Sequence, residues 1–110
     1  MRVFLDACVD PRVAEAFAGH EVATAVDLAW HKMKDHELVP LLQNRFDALV
    51  TIDRGFEFEH NLKNLTFGII IVHVAKNRVE FYRPLFDQMQ IALAQSSPGQ
   101  VQHIYGVPAD

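Results

Sequence analysis

The sequence predicts one three-layer α/β/α domain built on a mostly parallel sheet of four to five strands, and three observations carry that expectation. Short uncharged runs of β-favouring residues alternate with stretches of helical period. Two strand-like runs, Arg2-Val3-Phe4-Leu5 and the uncharged Ala48-Leu49-Val50-Thr51-Ile52, stop abruptly at an aspartate, Asp6 and Asp53. A third, Ile69-Ile70-Ile71-Val72-His73-Val74, is apolar on both faces, as a central strand covered on both sides must be. Strands that alternate with helices in this way pair in parallel through crossover connections.

The elements follow in order. After the first strand, Asp10-Pro11 opens a helix, because aspartate can cap and proline at the first helical position gives up only an amide that had no partner. Val13, Ala14, Phe17 and Ala18 supply its apolar face and Gly19 its stop. His20 to Thr24 reads as a second strand, from which Val26, Leu28, Ala29 and Trp30 lead into a loop or helical turn. Residues 31–35 are polar and basic and read as surface. From Asp35, a candidate cap, Leu38, Leu41, Leu42 and Phe46 recur at helical spacing. Pro40 would fall in the second turn, so this helix is expected to start later or to bend. Asn77 to Ser96 is the longest expected helix, with Tyr82, Leu85, Phe86, Met89 and Leu93 as its buried stripe. Pro84 marks its first turn, regular helix is expected from about Arg83, and Ser96-Ser97-Pro98-Gly99 ends it. Val101 to Tyr105 adds an edge strand.

A chain of 110 residues, half of them hydrophobic, suits one domain with a small core spanning residues 1–110. The formal charge of −4 lacks the strongly basic balance of a stand-alone nucleic-acid binder, so any such contact has to be local. The one cysteine, Cys8, forms no internal disulfide and is expected as a small buried hydrophobe. No signal-like segment opens the chain and the apolar run 68–74 is too short to span a bilayer, so a cytoplasmic protein with no membrane partner is expected. No phosphate-cradling GxxxxGK or GxGxxG is present. His31, His36, His60, His73 and His103 are scattered over different elements without metal-ligand spacing, and each is expected in a surface or packing role.

The chemistry therefore rests on carboxylates. In an open parallel sheet the site lies beyond the carboxyl ends of the strands, which is where Asp6 and Asp53 stand. Asp35 and Glu37 open the helix leading into the third strand and are placed to reach the same crevice. Packed carboxylates repel unless a cation joins them. Oxygen ligands without cysteine favour a hard ion such as Mg²⁺, which needs only one or two direct carboxylates, acidifies a bound water and clamps a phosphoryl oxygen. The plainer reading makes Asp35 a cap, Glu37 a complement to the helix dipole, and Asp10, Asp27 and Asp47 caps or solvated turn residues.

LDAC at 5–8, KDHELV at 34–39 and RFDALVTIDRGFEFEHNL at 45–62 resemble the small stand-alone PIN-like domain proteins of bacteria, relatives of the PIN nucleases that include VapC-type toxins. The resemblance covers nearly the whole chain, and its most specific piece is FDALVTIDR with the Asn61-Leu62 that follows. It implies a PIN-like fold and a Mg²⁺- or Mn²⁺-dependent ribonuclease. Asp6 matches the first acid and Asp53 the acid after the third strand. Glu37, with Asp35 beside it, lies in the region of the middle acid, and which of the two fills that role stays open. Thr51 is a candidate to orient the Asp53 carboxylate, and Asn61 to contact substrate or support a ligand. The partners implied are RNA, held weakly by a basic rim of Lys32, Lys34, Arg45 and Arg54, a small antitoxin protein, and a second copy of the chain. Two features depart from the family pattern: Ala7 stands where an acid is common, and Pro40 interrupts the helix presenting Glu37. Two other functions remain open, a non-catalytic PIN-like binding module and a receiver-like domain with Asp53 as phosphoacceptor. The second lacks a hydroxyl residue after the fourth strand and a lysine after the fifth.

Overall fold

The computed structural model describes residues 1–107, whose five strands form one all-parallel sheet in the order β2-β1-β3-β4-β5. The strands are β1 (Arg2–Leu5), β2 (Glu21–Thr24), β3 (Ala48–Thr51), β4 (Gly68–His73) and β5 (Val101–Tyr105). All five expected strands are present, and the parallel pairing is complete. The order reverses between β1 and β3, so the topological switch point falls between the strands that end at Asp6 and Asp53.

Strict alternation along the strands divides the core into two layers. Val3, Leu5, Val50, Ile70, Val72 and Ile104 face the 3₁₀ helix Pro11–Phe17 together with α3 (Val79–Tyr82) and α4 (Phe86–Ala94). Phe4, Leu49, Ile69 and Ile71 face α1 (Asp35–Leu42) and α2 (Phe56–Glu59), whose Leu38, Leu42 and Phe56 cover them. The sheet is thus the middle of three layers, with β1, β3 and β4 in its interior.

Several local expectations change. The first helix is a 3₁₀ helix that buries Val13, Ala16 and Phe17, which leaves Ala18 exposed. Its tighter turn returns a side chain to the same face every third residue, which explains the shifted stripe. Asp10 does cap it, accepting from the Arg12 amide, and the cap is nearly buried because it also accepts from the Val79 amide 69 residues away. Pro40 stays inside α1: the helix begins at Asp35 with Lys34 at the cap position, so Asp35 is its first residue and not its cap. Proline is tolerated there because it and His36, whose carbonyl it leaves without an amide, are both exposed, so that carbonyl is free to be solvated. The expected long helix is broken into α3, a 3₁₀ turn over Arg83–Leu85 that contains Pro84, and α4, so beyond the single turn of α3 regular helix resumes at Phe86 rather than near Arg83. The buried stripe survives: Tyr82, Leu85, Met89 and Leu93 are buried and Phe86 is half-buried. Gly99 closes the path to β5 at φ +75°, where a side chain would strike the Leu62 carbonyl oxygen. Among the described residues no helix is long and apolar enough to cross a membrane.

Candidate functional site at the carboxyl edge of the sheet

Carrying the alternation past the strand ends places Asp6, Thr51, Asp53, His73, His103 and Tyr105 on the face shared with α1 and α2, in a row across four strands. The opposite face stays apolar to the same level, with Ile52 and Val74 packed into it. The sheet therefore changes character at one end of one face.

Thr51 joins the two aspartates. Its buried hydroxyl donates to Asp6 Oδ2 at 2.8 Å and accepts from the Asp53 amide at 3.0 Å. With the hydroxyl proton committed to Asp6, the 3.5 Å contact to Cys8 Sγ has the thiol as donor, and all three hydrogen-bonding positions of the oxygen are occupied. Thr51 thus orients the Asp6 carboxylate and the Asp53 backbone, not the Asp53 carboxylate for which it was a candidate. The other Asp6 oxygen accepts from the Ala7 amide at 2.8 Å, so the residue standing in place of an acid contributes its backbone. Cys8 is exposed, contrary to its expected burial, because it lies in the turn that follows β1. Partial burial of the sulfur, and then the nearby Asp6 charge, nevertheless push the thiol's pKa up against the opposing effect of its Thr51 contact, which keeps it protonated.

Asp53 Oδ1 accepts from the Gly55 amide at 2.9 Å. A side chain at Gly55 would meet Glu59 Oε1 at 2.9 Å and Asp53 Oδ1 at 3.4 Å, so these two carboxylates flank the space that glycine leaves open. Glu59 belongs in turn to a group with Asp35 and His60 whose ligand-type atoms all lie within 4.8 Å of one another. His60 Nε2 lies 3.4 Å from Asp35 Oδ2, and its ring packs on Phe56 with centroids 4.2 Å apart. Among the described residues this is the one group of three His, Cys, Asp or Glu side chains so spaced, and of the acids singled out in the sequence it contains Asp35 alone. Glu37 is exposed and accepts from the Lys34 amide at 3.3 Å, a bond that fastens the start of α1. Asn61 accepts from the Lys63 amide and caps the 3₁₀ turn Leu62–Asn64. Arg54 is exposed next to Asp53. Arg45 is not at this edge: it stands over the Trp30 ring in a groove of about 380 Å³ lined also by Arg2, Glu21 and Phe46, at the amino ends of the strands.

Three features escaped the sequence. Glu59 and His60 follow Asp53 in a segment with no clear period, where α2 is a single turn. His73 and His103 are 30 residues apart but meet at 2.9 Å, because the β4–β5 register sets Ile71 opposite His103 and His73 opposite Tyr105. Asn77 braces the loop after β1, accepting from the Asp10 amide and the Tyr82 hydroxyl and donating to the Cys8 carbonyl. Of these, only the two histidines had a readable signal, since each sits near the end of an expected strand, but which strands are neighbours comes from the sheet order.

A cation at this edge would find two carboxylates and one imidazole in Asp35, Glu59 and His60, with the Asp53 carboxylate adjoining. That donor set fits Mn²⁺ and later first-row ions better than Mg²⁺, which favours oxygen alone. No protein-family model, no curated protein and no solved structure matches the chain.

Proposed function

We propose that the carboxyl edge is a metal-dependent phosphodiesterase centre that cleaves RNA, of the PIN-like type that the motifs at 5–8, 34–39 and 45–62 resemble. The observation that carries this reading is the continuous line of acids, from Asp6 through Thr51 to Asp53 and across Gly55 to Glu59 and Asp35, at the switch point of a parallel sheet. Asp35, Glu59 and His60 would hold Mn²⁺, or Mg²⁺ more weakly. When bound, the ion supplies Lewis-acid polarisation of a phosphoryl oxygen and a more acidic water.

The chain's own residues do the rest. Thr51 fixes the Asp6 carboxylate, so that it faces the crevice without reorganising when charge develops there. Asp53, tethered through Gly55, adds negative charge that draws the cation in. Arg54 and Lys34, both exposed beside these acids, attract the phosphate backbone and give an affinity that falls with salt. In this reading the protein acts in the cytoplasm, and a small antitoxin or a second copy of the chain is the partner that would restrain it.

The test is cleavage of single-stranded RNA by the purified protein in Mn²⁺ and in Mg²⁺. Cleavage in Mn²⁺ that Asp53→Asn and Asp35→Asn each abolish supports the proposal. RNA left intact in both ions, with no calorimetric heat for Mn²⁺ that Asp35→Asn removes, defeats it and leaves the non-catalytic binding module. One observation favours a second reading: the order β2-β1-β3-β4-β5 is that of receiver domains, whose phosphoacceptor also follows the third strand. His73, Val74 and Ala75 stand where a receiver needs a hydroxyl, and Gly106-Val107 where it needs a lysine. Incubation with acetyl phosphate is expected to leave Asp53 unlabelled.

A further inference from the structure

Across the sheet from the acids, Glu57 on α2, His103 on β5 and His73 on β4 are joined in line. Glu57 Oε1 lies 2.8 Å from His103 Nε2, and His103 Nδ1 lies 2.9 Å from His73 Nε2. Tyr105 stacks on the His73 ring, with centroids 4.3 Å apart and planes 23° from parallel. All three members of the line are half-buried, so neither imidazole is a freely rotating surface group.

The chemistry of the partners fixes the protons. An ionised carboxylate only accepts, so His103 carries its proton on Nε2, leaving Nδ1 bare to accept from His73 Nε2–H. His73 Nδ1 is then the bare, basic end of the line. It has no hydrogen-bond partner among the described residues, and no half-buried or buried side chain there has an unpartnered polar atom shut away from solvent, so Nδ1 is open. The β3–β4 register pairs Thr51 with Ile71, so His73 ends β4 two residues beyond that pair, and Arg54, from the loop that carries Asp53, lies close enough for its charge to act on the His73 ring.

We propose that Glu57, His103 and His73 form a proton relay whose open end, His73 Nδ1, is the proton acceptor of the crevice. The proposal rests on the hydrolytic reading above and deepens it by naming the base. As the water oxygen bonds to phosphorus, its proton passes to His73 Nδ1 and the His73 Nε2 proton passes to His103 Nδ1. The resulting imidazolium is held by Glu57 through Nε2–H. The ester P–O bond breaks, and the leaving oxygen takes one proton back from the relay, which returns it to its starting state. The charged and titratable groups around the two rings are Glu57 from α2, Arg54 from the loop after β3, and Tyr105 from β5. Burial, then Arg54, then His103 hold the His73 pKa below the ordinary histidine value, so the ring is neutral and able to accept near pH 7.

Two measurements test the relay separately from the hydrolysis. Imidazole ¹⁵N spectra of the metal-free protein are expected to show His103 protonated on Nε2 and His73 on Nε2, and Glu57→Gln is expected to lose that pattern and move the titration of His73 to lower pH. Mixed tautomers in the wild type, or titrations that Glu57→Gln does not move, overturn the relay whatever the activity. In the RNA assay, kcat is expected to rise with pH through an acid limb below pH 6.5. His73→Gln is expected to remove the limb and lower kcat about 100-fold, while Mn²⁺ affinity is unchanged. Glu57→Gln is expected to shift the limb to lower pH, whereas a merely structural Glu57 would scale the rate equally at every pH. A limb that survives His73→Gln overturns the assignment of the base. Ordered tautomers in a protein that cleaves no RNA in either ion retire the hydrolytic reading, and the acceptor role with it.

Discussion

The two faces of the sheet use the same strands and the same alternation, yet only one of them carries polar chemistry to its end. On the face covered by the 3₁₀ helix Pro11–Phe17, α3 and α4, apolar packing runs through to Ile52 and Val74, and the loops above it are tied by Asp10, Asn77 and Tyr82. On the other face Phe4, Leu49, Ile71 and Val101 give way two residues further on to Asp6, Thr51, His73 and His103. The helices explain the difference. The nine residues of α4 cover their face, whereas α2 has four residues and leaves the carboxyl edge beside it open. A closed face holds the strands still, and the open one spends that rigidity on positioning.

Met89→Ala separates the two faces most sharply. Its side chain is fully buried in the closed layer, so the variant should lose about 2–5 kcal/mol in urea unfolding while the imidazole tautomers at the other face stay as they are. Altered tautomers in folded Met89→Ala would show that the faces are not independent. Thr51→Val, similar in shape, deprives the Asp53 amide and the Asp6 carboxylate of their shared partner and should cost about 1–3 kcal/mol. Its effect should not add fully to that of Asp6→Ala in a double-mutant cycle, since both variants remove the Asp6–Thr51 bond.

Asp10 gives the comparison a pH dependence. Hydrogen bonds from Arg12 above all, and from the Val79 amide, hold its carboxyl below the usual carboxylate range. A depressed pKa stabilises the fold above the unfolded-state value near ~3.9, and the contribution disappears as pH falls through the lower folded-state value. Asp10→Ala should therefore lose about 1 kcal/mol at pH 7 and match the wild type more closely towards pH 2, read by thermal melts across that range. The smallest effect is expected from Gly55→Ala. Its backbone, at φ −85°, accepts a side chain, so stability should change by less than about 0.5 kcal/mol. The new Cβ would push Glu59 aside and weaken Mn²⁺ binding in calorimetry, a change confined to the open face.

The closed face was the more legible of the two. Apolar runs ending in Asp6 and Asp53 fix strands, parallel pairing and the switch point, because burial on both sides leaves a signal in every residue of a strand. The buried stripe from Tyr82 to Leu93 was readable for the same reason, although Pro84 divides its helix more thoroughly than periodicity indicates. The open face depends on contacts that periodicity does not encode. Thr51 bonds across 45 residues, His73 across 30, and Asp35 across 25 to a histidine just past a one-turn helix. Asp35 and Asp53 were visible as acids, but the neighbours that give them company, Glu59 and His60, lie where no pattern points. Glu37, attractive by position, is spent on its own helix.

The bonds from Asn77 to the Cys8 carbonyl and from the Val79 amide to Asp10 set an order of events during synthesis on the ribosome. Asp6 emerges early, but Thr51 must follow before its carboxylate is oriented, and the turn that carries it is not braced until residues 77–79 are made. A nascent chain arrested near residue 70 would own every acid of the crevice and still lack the means to hold them in place.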